Sequence, residues 1–166
     1  MRGHWERRYP PLALAAVSAV ALAIVLVAQF GFALEPCHLC TLQRMPHLFA
    51  LVVASMAAVE ARDNRVMALL LGVLAAIYAT DAGIAFFHVG VERHWWESAC
   101  AGGDSLAKSA TGLLSQLNQG QPAPACDSVP FELFGVSIAG MNLIVSAILA
   151  VFSARAARQA WRRTWR

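Results

Sequence analysis

The sequence predicts an all-α membrane protein, a four-transmembrane-helix bundle with one long extracytoplasmic loop, and three observations carry that prediction. Of the 166 residues, 58% are hydrophobic and only 14% charged, where soluble domains carry roughly a quarter charged residues. The apolar residues gather into four segments, and about 20 consecutive residues suffice to cross a bilayer. The basic residues fall between and outside those segments in a one-sided pattern. Together these exclude a disordered tail and argue against a soluble globule. No internal repeat or low-complexity linker divides the chain, so residues 1–166 read as a single integral membrane domain.

The first span is read over residues 11–34, where only Ser18 and Gln29 resist hydrocarbon and Arg7, Arg8 and Pro10 sit just outside. Its flank MRGHWERR would also suit a secretory signal peptide. The apolar run, however, outlasts the roughly 7–15 residues of such a leader, and further spans follow. The second span, 39–59, has a short uninterrupted stretch from Leu48 to Val59 and must borrow from the preceding CHLCTLQRMPH. The third, 66–87, and the fourth, 134–154, are each long enough at about 1.5 Å per residue to cross a core of about 30 Å. Asp81 is the only charge within those two.

Arg2, Arg7 and Arg8 precede the first span, Arg62 and Arg65 join the second to the third, and Arg155, Arg158, Arg162, Arg163 and Arg166 follow the fourth. Ten of the 13 basic residues thus share one side, which the positive-inside rule makes cytoplasmic, with both termini. The tail RARQAWRRTWR could bind RNA in isolation. At a membrane edge it reads as a topology signal, with Trp161 and Trp165 as interfacial anchors, and no nucleic-acid partner is expected.

Parity puts the other two connections on the opposite face, and all four cysteines go with them. Cys37 and Cys40 stand between spans one and two; Cys100 and Cys126 stand in the long loop at about 88–133. On that face disulfides form and persist, and in a bacterium it is the periplasm. Four cysteines allow three pairings, and the sequence does not choose among them. A structural disulfide within CxxC would close a tiny loop and stabilise little. Zinc held by Cys37, His38, Cys40 and a distant ligand would need a second CxxC or an HxxxH that the chain lacks, so no metal is expected. Redox chemistry is the reading that remains strongest.

The residues around CxxC favour reactivity. Glu35-Pro36 predicts a helix start with Pro36 at the first helical position, placing Cys37 and Cys40 in the first turn. There the free N–H groups and the helix dipole stabilise a thiolate. The spacing 37, 40, 44, 47 puts Cys37, Cys40, Arg44 and His47 along one face. Arg44, a permanent cation one turn after Cys40, can stabilise a Cys40 thiolate and donate hydrogen bonds to an acceptor lying against it. An ionisable residue inside the membrane boundary points to function; snorkelling to headgroups is the alternative. Pro46 is predicted to bend the helix, since it cannot donate to Leu42. His47 reads as a polar packing residue.

In these features the chain resembles the DsbB family of membrane disulfide-generating proteins. The resemblance rests on Cys37-His38-Leu39-Cys40-Thr41-Leu42-Gln43-Arg44 as CxLCxxQR, the loop pair Cys100 and Cys126, and Ala125-Cys126-Asp127 leading to Phe134-Gly135. It implies a thiol:quinone oxidoreductase of a bacterial inner membrane. A soluble, thioredoxin-fold periplasmic oxidase of the DsbA type would pass electrons to Cys100–Cys126, then Cys37–Cys40, then a quinone of the membrane pool, ubiquinone or menaquinone. It further implies that Cys100 takes the mixed disulfide with the partner, that Cys40 faces the quinone, and that Arg44 lies near its ring. His47 and His88 are further candidate contacts to the quinone. The exit of span three departs from the family pattern, and His88 is read there as an interfacial anchor beside Trp95 and Trp96. Asp81 is expected to pair with Arg44, because a charge in hydrocarbon needs a partner.

Within the long loop, Leu106, Ala110, Leu113, Leu114 and Leu117 share one face of a short amphipathic helix over 105–119. Asp104 or Ser105 can cap it and Gly120 end it. It is expected along the membrane surface, with packing on the tops of the spans as the alternative. Residues 121–125 read as an extended arm presenting Cys126. The competing function is a non-enzymatic membrane scaffold or assembly factor with permanent disulfides. A conduit exporting reductant would want cysteines reachable from both faces.

Overall fold

The computed structural model describes residues 2–59, 63–97, 125–129 and 131–165. Four long helices make up nearly all of it: α1 (Arg2–Gly31), α2 (His38–Val59), α3 (Asn64–Glu92) and α4 (Ile138–Arg162), and each is long and apolar enough to cross a membrane. The amphipathic helix expected over 105–119, with Asp104, Ser105 and Gly120 at its ends, lies outside the described residues, as do Cys100 and most of the 121–125 arm.

What makes these helices a membrane bundle is the inversion of their faces. Ser18, Gln43, His47, Asp81, His88 and Ser146 are buried, while Val20, Ile24, Val27, Phe49, Val52, Met56, Leu69 and Ile148 are exposed. A helix in lipid satisfies its own backbone and turns apolar side chains outward, leaving polar ones to find partners inside. Between the helices sits a core of Leu14, Ala50, Ala54, Ala57, Met67, Leu71, Leu74, Tyr78 and Leu149. Alanines at turn spacing along α2 bring its backbone close to its neighbours, as small residues do in membrane helix pairs.

The helices pack in order, α1 on α2, α2 on α3 and α3 along α4, while α1 and α4 meet only slightly. This leaves the bundle partly open along one side. At one end Asp63 caps α3 by accepting the Arg65 N–H at 2.8 Å. At the same end the Asn64 amide donates to the Arg163 carbonyl, and Arg65 lies over the Trp165 ring at 5.9 Å.

The helices extend beyond the sequence-read spans at several ends, starting at Arg2 in α1, running Asn64–Glu92 in α3 and ending at Arg162 in α4. Residues 32–34 fall outside α1, whose helix ends at Gly31. The α2 helix begins at His38. The fourth helix begins at Ile138, not Phe134, because Glu132–Leu133 and Val136–Ser137 pair as a two-residue antiparallel hairpin. Phe134 and Gly135 form its turn with φ of 54° and 76°, positive at both central positions as the tight hairpin turn requires. Ser137 then caps α4 by accepting the Gly140 N–H at 3.1 Å.

The other end of α3 determines what covers the cysteines. Trp95 N–H donates to the Gly90 carbonyl at 2.8 Å and His94 N–H to the Val91 carbonyl at 3.1 Å, a Schellman closure with His94 in the left-handed position at φ 58°. This folds Trp96 back onto Gly90, its indole N–H donating to the Phe87 carbonyl at 2.9 Å and its ring stacked on Phe87. A Cβ added at Gly90 would lie 1.9 Å from the indole Cζ2. Gly90→Ala is therefore expected to expel Trp96, red-shift tryptophan emission and cost about 1–3 kcal/mol of stability, as overpacking does. Unchanged emission and unfolding temperature would refute it.

Candidate functional site

Cys37 stands at the N-cap of α2. Its carbonyl accepts the Thr41 N–H at 3.1 Å, and its Sγ accepts the Cys40 N–H at 3.2 Å. Pro36 therefore lies before the cap and not at the first helical position. Sγ of Cys37 and Sγ of Cys40 are 2.8 Å apart, well beyond a disulfide bond of about 2.05 Å, and both thiols are free. His88 Nε2 lies 3.7 Å from Cys37 Sγ.

These contacts favour the anionic form of Cys37. The Cys40 thiol beside it is the largest influence on Cys37; burial opposes it, while His88 and the Cys40 backbone N–H add to it, holding the Cys37 thiol down to about 4 from 9.0. A thiolate on Cys40 supported by Arg44 was expected from the spacing. The stabilising groups gather instead on Cys37, and Arg44 Nη1 donates to Gln29 Oε1 at 2.6 Å. Because the thiolate form persists as pH falls until about 4, alkylation of Cys37 by iodoacetamide should stay level between roughly pH 9 and 6, whereas an ordinary thiol of pKa about 8.5 loses tenfold per pH unit. A rate falling in the ordinary way would refute it.

Cys126 is fully buried and packs in one cluster with Cys37, Leu39 and Val91, with Cys40 and Trp96 at its edge. It is disulfide-bonded. A turn in which the Ser128 hydroxyl donates to the Ala125 carbonyl at 2.7 Å holds the segment. A cysteine some 90 residues away in sequence is thus set against the CxxC pair.

On its other side Cys40 borders a half-open cleft of about 120 Å³, walled by Ala21, Leu22 and Val25 of α1 and Ile138 and Ala139 of α4. Gln43, Arg44, His47, His88 and Asn142 bring polar atoms to it. An apolar cleft with a few convergent polar groups suits a small hydrophobic ligand. The sulfurs of Cys37 and Cys40 and a ring nitrogen of His88 lie within 4.8 Å of one another.

Behind the cleft the buried polar side chains are bonded into one network. Asp81 Oδ2 accepts from Asn142 Nδ2 at 3.0 Å and from Ser146 Oγ at 2.6 Å, and it lies 3.4 Å from His47 Nε2. The expected Arg44–Asp81 pair is therefore replaced by His47–Asp81: His47 is on the same face as Arg44 but one turn deeper, level with Asp81. On its other side His47 Nδ1 meets Ser18 Oγ at 3.3 Å, which bonds the Tyr78 hydroxyl at 2.8 Å. Asn142 Nδ2 also donates to Gln43 Oε1 at 2.8 Å, and Gln43 Nε2 meets His88 Nδ1 at 2.7 Å. His88 is 2% exposed and points inward, so the anchoring reading is corrected; Trp95 and Trp96 lie beyond it. Its Nε2 also lies 3.9 Å from Glu92 Oε1. Ser18, Gln43, Tyr78, Asn142 and Ser146 had no assigned role in the sequence, although polar residues at membrane depth were the signal that could have found them.

The chain is 26% identical over 147 residues to the uncharacterized protein RP370 of Rickettsia prowazekii (strain Madrid E), covering 85% of this chain and 82% of that protein. No solved structure matches it. A family model described as disulfide bond formation protein DsbB matches residues 7–156. Since that match spans most of a chain with four apolar helices, the protein is a multi-pass membrane protein that belongs to the DsbB family of disulfide-forming oxidoreductases.

Proposed function

We propose that the protein reoxidises a periplasmic, thioredoxin-fold dithiol oxidase of the DsbA type and delivers the electrons to a membrane quinone, ubiquinone or menaquinone. One observation carries the reading: the Cys37/Cys40 pair lies between Cys126 on one side and the apolar cleft on the other. A dithiol so placed can receive electrons by exchange with one neighbour and lose them to a ligand held beside the other.

The thiol steps balance without an added reagent. A partner thiolate attacks the Cys100–Cys126 disulfide at Cys100 and releases the Cys126 thiolate; the partner's second thiol then displaces Cys100, leaving the partner oxidised and the loop pair reduced. The same two displacements pass the pair of electrons to a Cys37–Cys40 disulfide, regenerating the loop disulfide.

Bound quinone supplies an acceptor of two electrons and two protons. The cleft fits such a ring in its donor set: apolar walls for the ring and tail, and Arg44, His47, Gln43 and Asn142 bordering it, where carbonyl oxygens can only accept. Arg44 has one Nη engaged by Gln29 and four further N–H donors in its fork. The gap between α1 and α4 gives a lipid-soluble ligand a lateral way in. The cysteines then face the periplasm and both termini the cytoplasm of a bacterial inner membrane, as the arginine distribution supports.

The test is turnover: purified protein, a reduced DsbA-type partner and decylubiquinone or a menaquinone analogue, following quinone absorbance and partner thiols together. One disulfide formed per quinone reduced is expected. A scaffold with inert disulfides would leave both unchanged and overturn the reading.

A further inference from the structure

The buried network has a direction, set by which atoms can donate. Asp81 is an acceptor, and its Oδ2 takes one N–H of Asn142. The second N–H of Asn142 goes to Gln43 Oε1, so both donors of that amide are used. With its oxygen so committed, Gln43 turns its amide nitrogen to His88 Nδ1 at 2.7 Å. A nitrogen facing an N–H donor must present a lone pair, so the one proton of a neutral His88 sits on Nε2. That nitrogen lies 3.7 Å from Cys37 Sγ, inside the reach of a hydrogen bond to sulfur.

We propose that Asp81 is a positioning residue for the Cys37 thiolate: through Asn142 and Gln43 it fixes which nitrogen of His88 carries the proton, making Nε2–H a donor to Cys37 Sγ. Reversal would undo this. If Asn142 turned its oxygen toward Gln43, then Gln43 would turn its own toward His88, the proton would move to Nδ1, and a lone pair would face the thiolate. A carboxylate at residue 81 forbids that arrangement, since it offers Asn142 no donor. His47 closes the other side, its Nε2 lying 3.1 Å from Asn142 Oδ1. Asp81 Oδ1 has no hydrogen-bond partner among the described residues, so Oδ2 carries the whole polarising interaction.

The groups around both ends are defined. Cys37 faces Cys40 on α2, His88 with Glu92 behind it on α3, and the bonded Cys126. Asp81 faces His47 on α2 and Asn142 and Ser146 on α4. Next to His47 lie Ser18 of α1 and Tyr78 of α3.

The proposal rests on Cys37 and Cys40 being the redox pair for its functional weight, but its test uses neither quinone nor partner. Failure in the turnover assay and failure here are therefore separate results. The probe is iodoacetamide on the reduced CxxC pair of the full chain in detergent, with Cys37 modification followed by mass spectrometry across pH. Asp81→Asn lets residue 81 donate as well as accept, and its profile midpoint should rise by about one pH unit, a tenfold gain in proton affinity. His88→Gln should raise it at least as far. The double variant should rise no further than His88→Gln alone, because the carboxylate acts through that ring. An unmoved midpoint in Asp81→Asn, or two shifts that simply add, overturns the proposal. Nitrogen NMR of the wild-type histidines tests it without any variant: a His88 proton on Nε2 is required, and one on Nδ1 overturns it.

Discussion

Cys40→Ser is expected to abolish quinone-dependent oxidation of the thiol partner, with turnover down by about six orders of magnitude, the scale on which removing a reacting nucleophile acts. Cys37 and Cys40 hold the only free thiols among the described residues, and Cys40 is the one bordering the cleft. Serine keeps the size and the helix but cannot form or break a disulfide. The same variant should reveal the other face of the site. A Cys37 thiolate that attacks the loop disulfide has no neighbour to displace it, so a Cys37 cross-link to the loop pair should accumulate and appear in peptide mass spectra under non-reducing conditions. Wild-type turnover in Cys40→Ser would sink the electron path.

The second large effect is on stability. His47→Leu should lower unfolding stability in detergent by about 3–5 kcal/mol, the cost of leaving a buried carboxylate without one of its partners. His47 and Asp81 are 4% and 0% exposed, so no solvent can replace the lost partner. Replacing both residues by leucine should recover most of the loss, since a buried pair exchanged for apolar side chains is often neutral. If thermal unfolding of His47→Leu matches wild type, the His47–Asp81 contact is not what holds α2 against α3.

Span number and order were legible in the sequence because lipid imposes the same demand on every helix, and a run of apolar residues answers it in one dimension. The cysteine motif was legible for a similar reason: Cys37, Cys40 and Arg44 are close in sequence, so their relative placement follows from helix geometry alone. What was not legible depended on depth and rotation. Asp81 and Arg44 were matched by approximate level, but on α2 His47 lies one turn deeper and takes the carboxylate. His88 lies close to Trp95 and Trp96 in sequence, yet the Schellman turn after Gly90 leaves Trp95 exposed, folds Trp96 back onto Gly90 and keeps His88 inside. The helix start was misplaced by the prominence of Pro36. A cysteine is not an ordinary N-cap, and its sulfur takes that place here only by accepting the Cys40 N–H.

The short hairpin before α4 has a kinetic consequence. Cys126 stands eleven residues before Ser137, the cap of a membrane-anchored helix, a tether of at most about 3.3–3.6 Å per residue. A reactive group on so short a leash meets its neighbour at an effective concentration on the order of millimolar. On the proposed electron path, exchange between the two cysteine pairs would therefore be first order and indifferent to how dilute the protein is in the membrane. A small disulfide in the surrounding medium would need to reach millimolar levels before it could intercept the electrons.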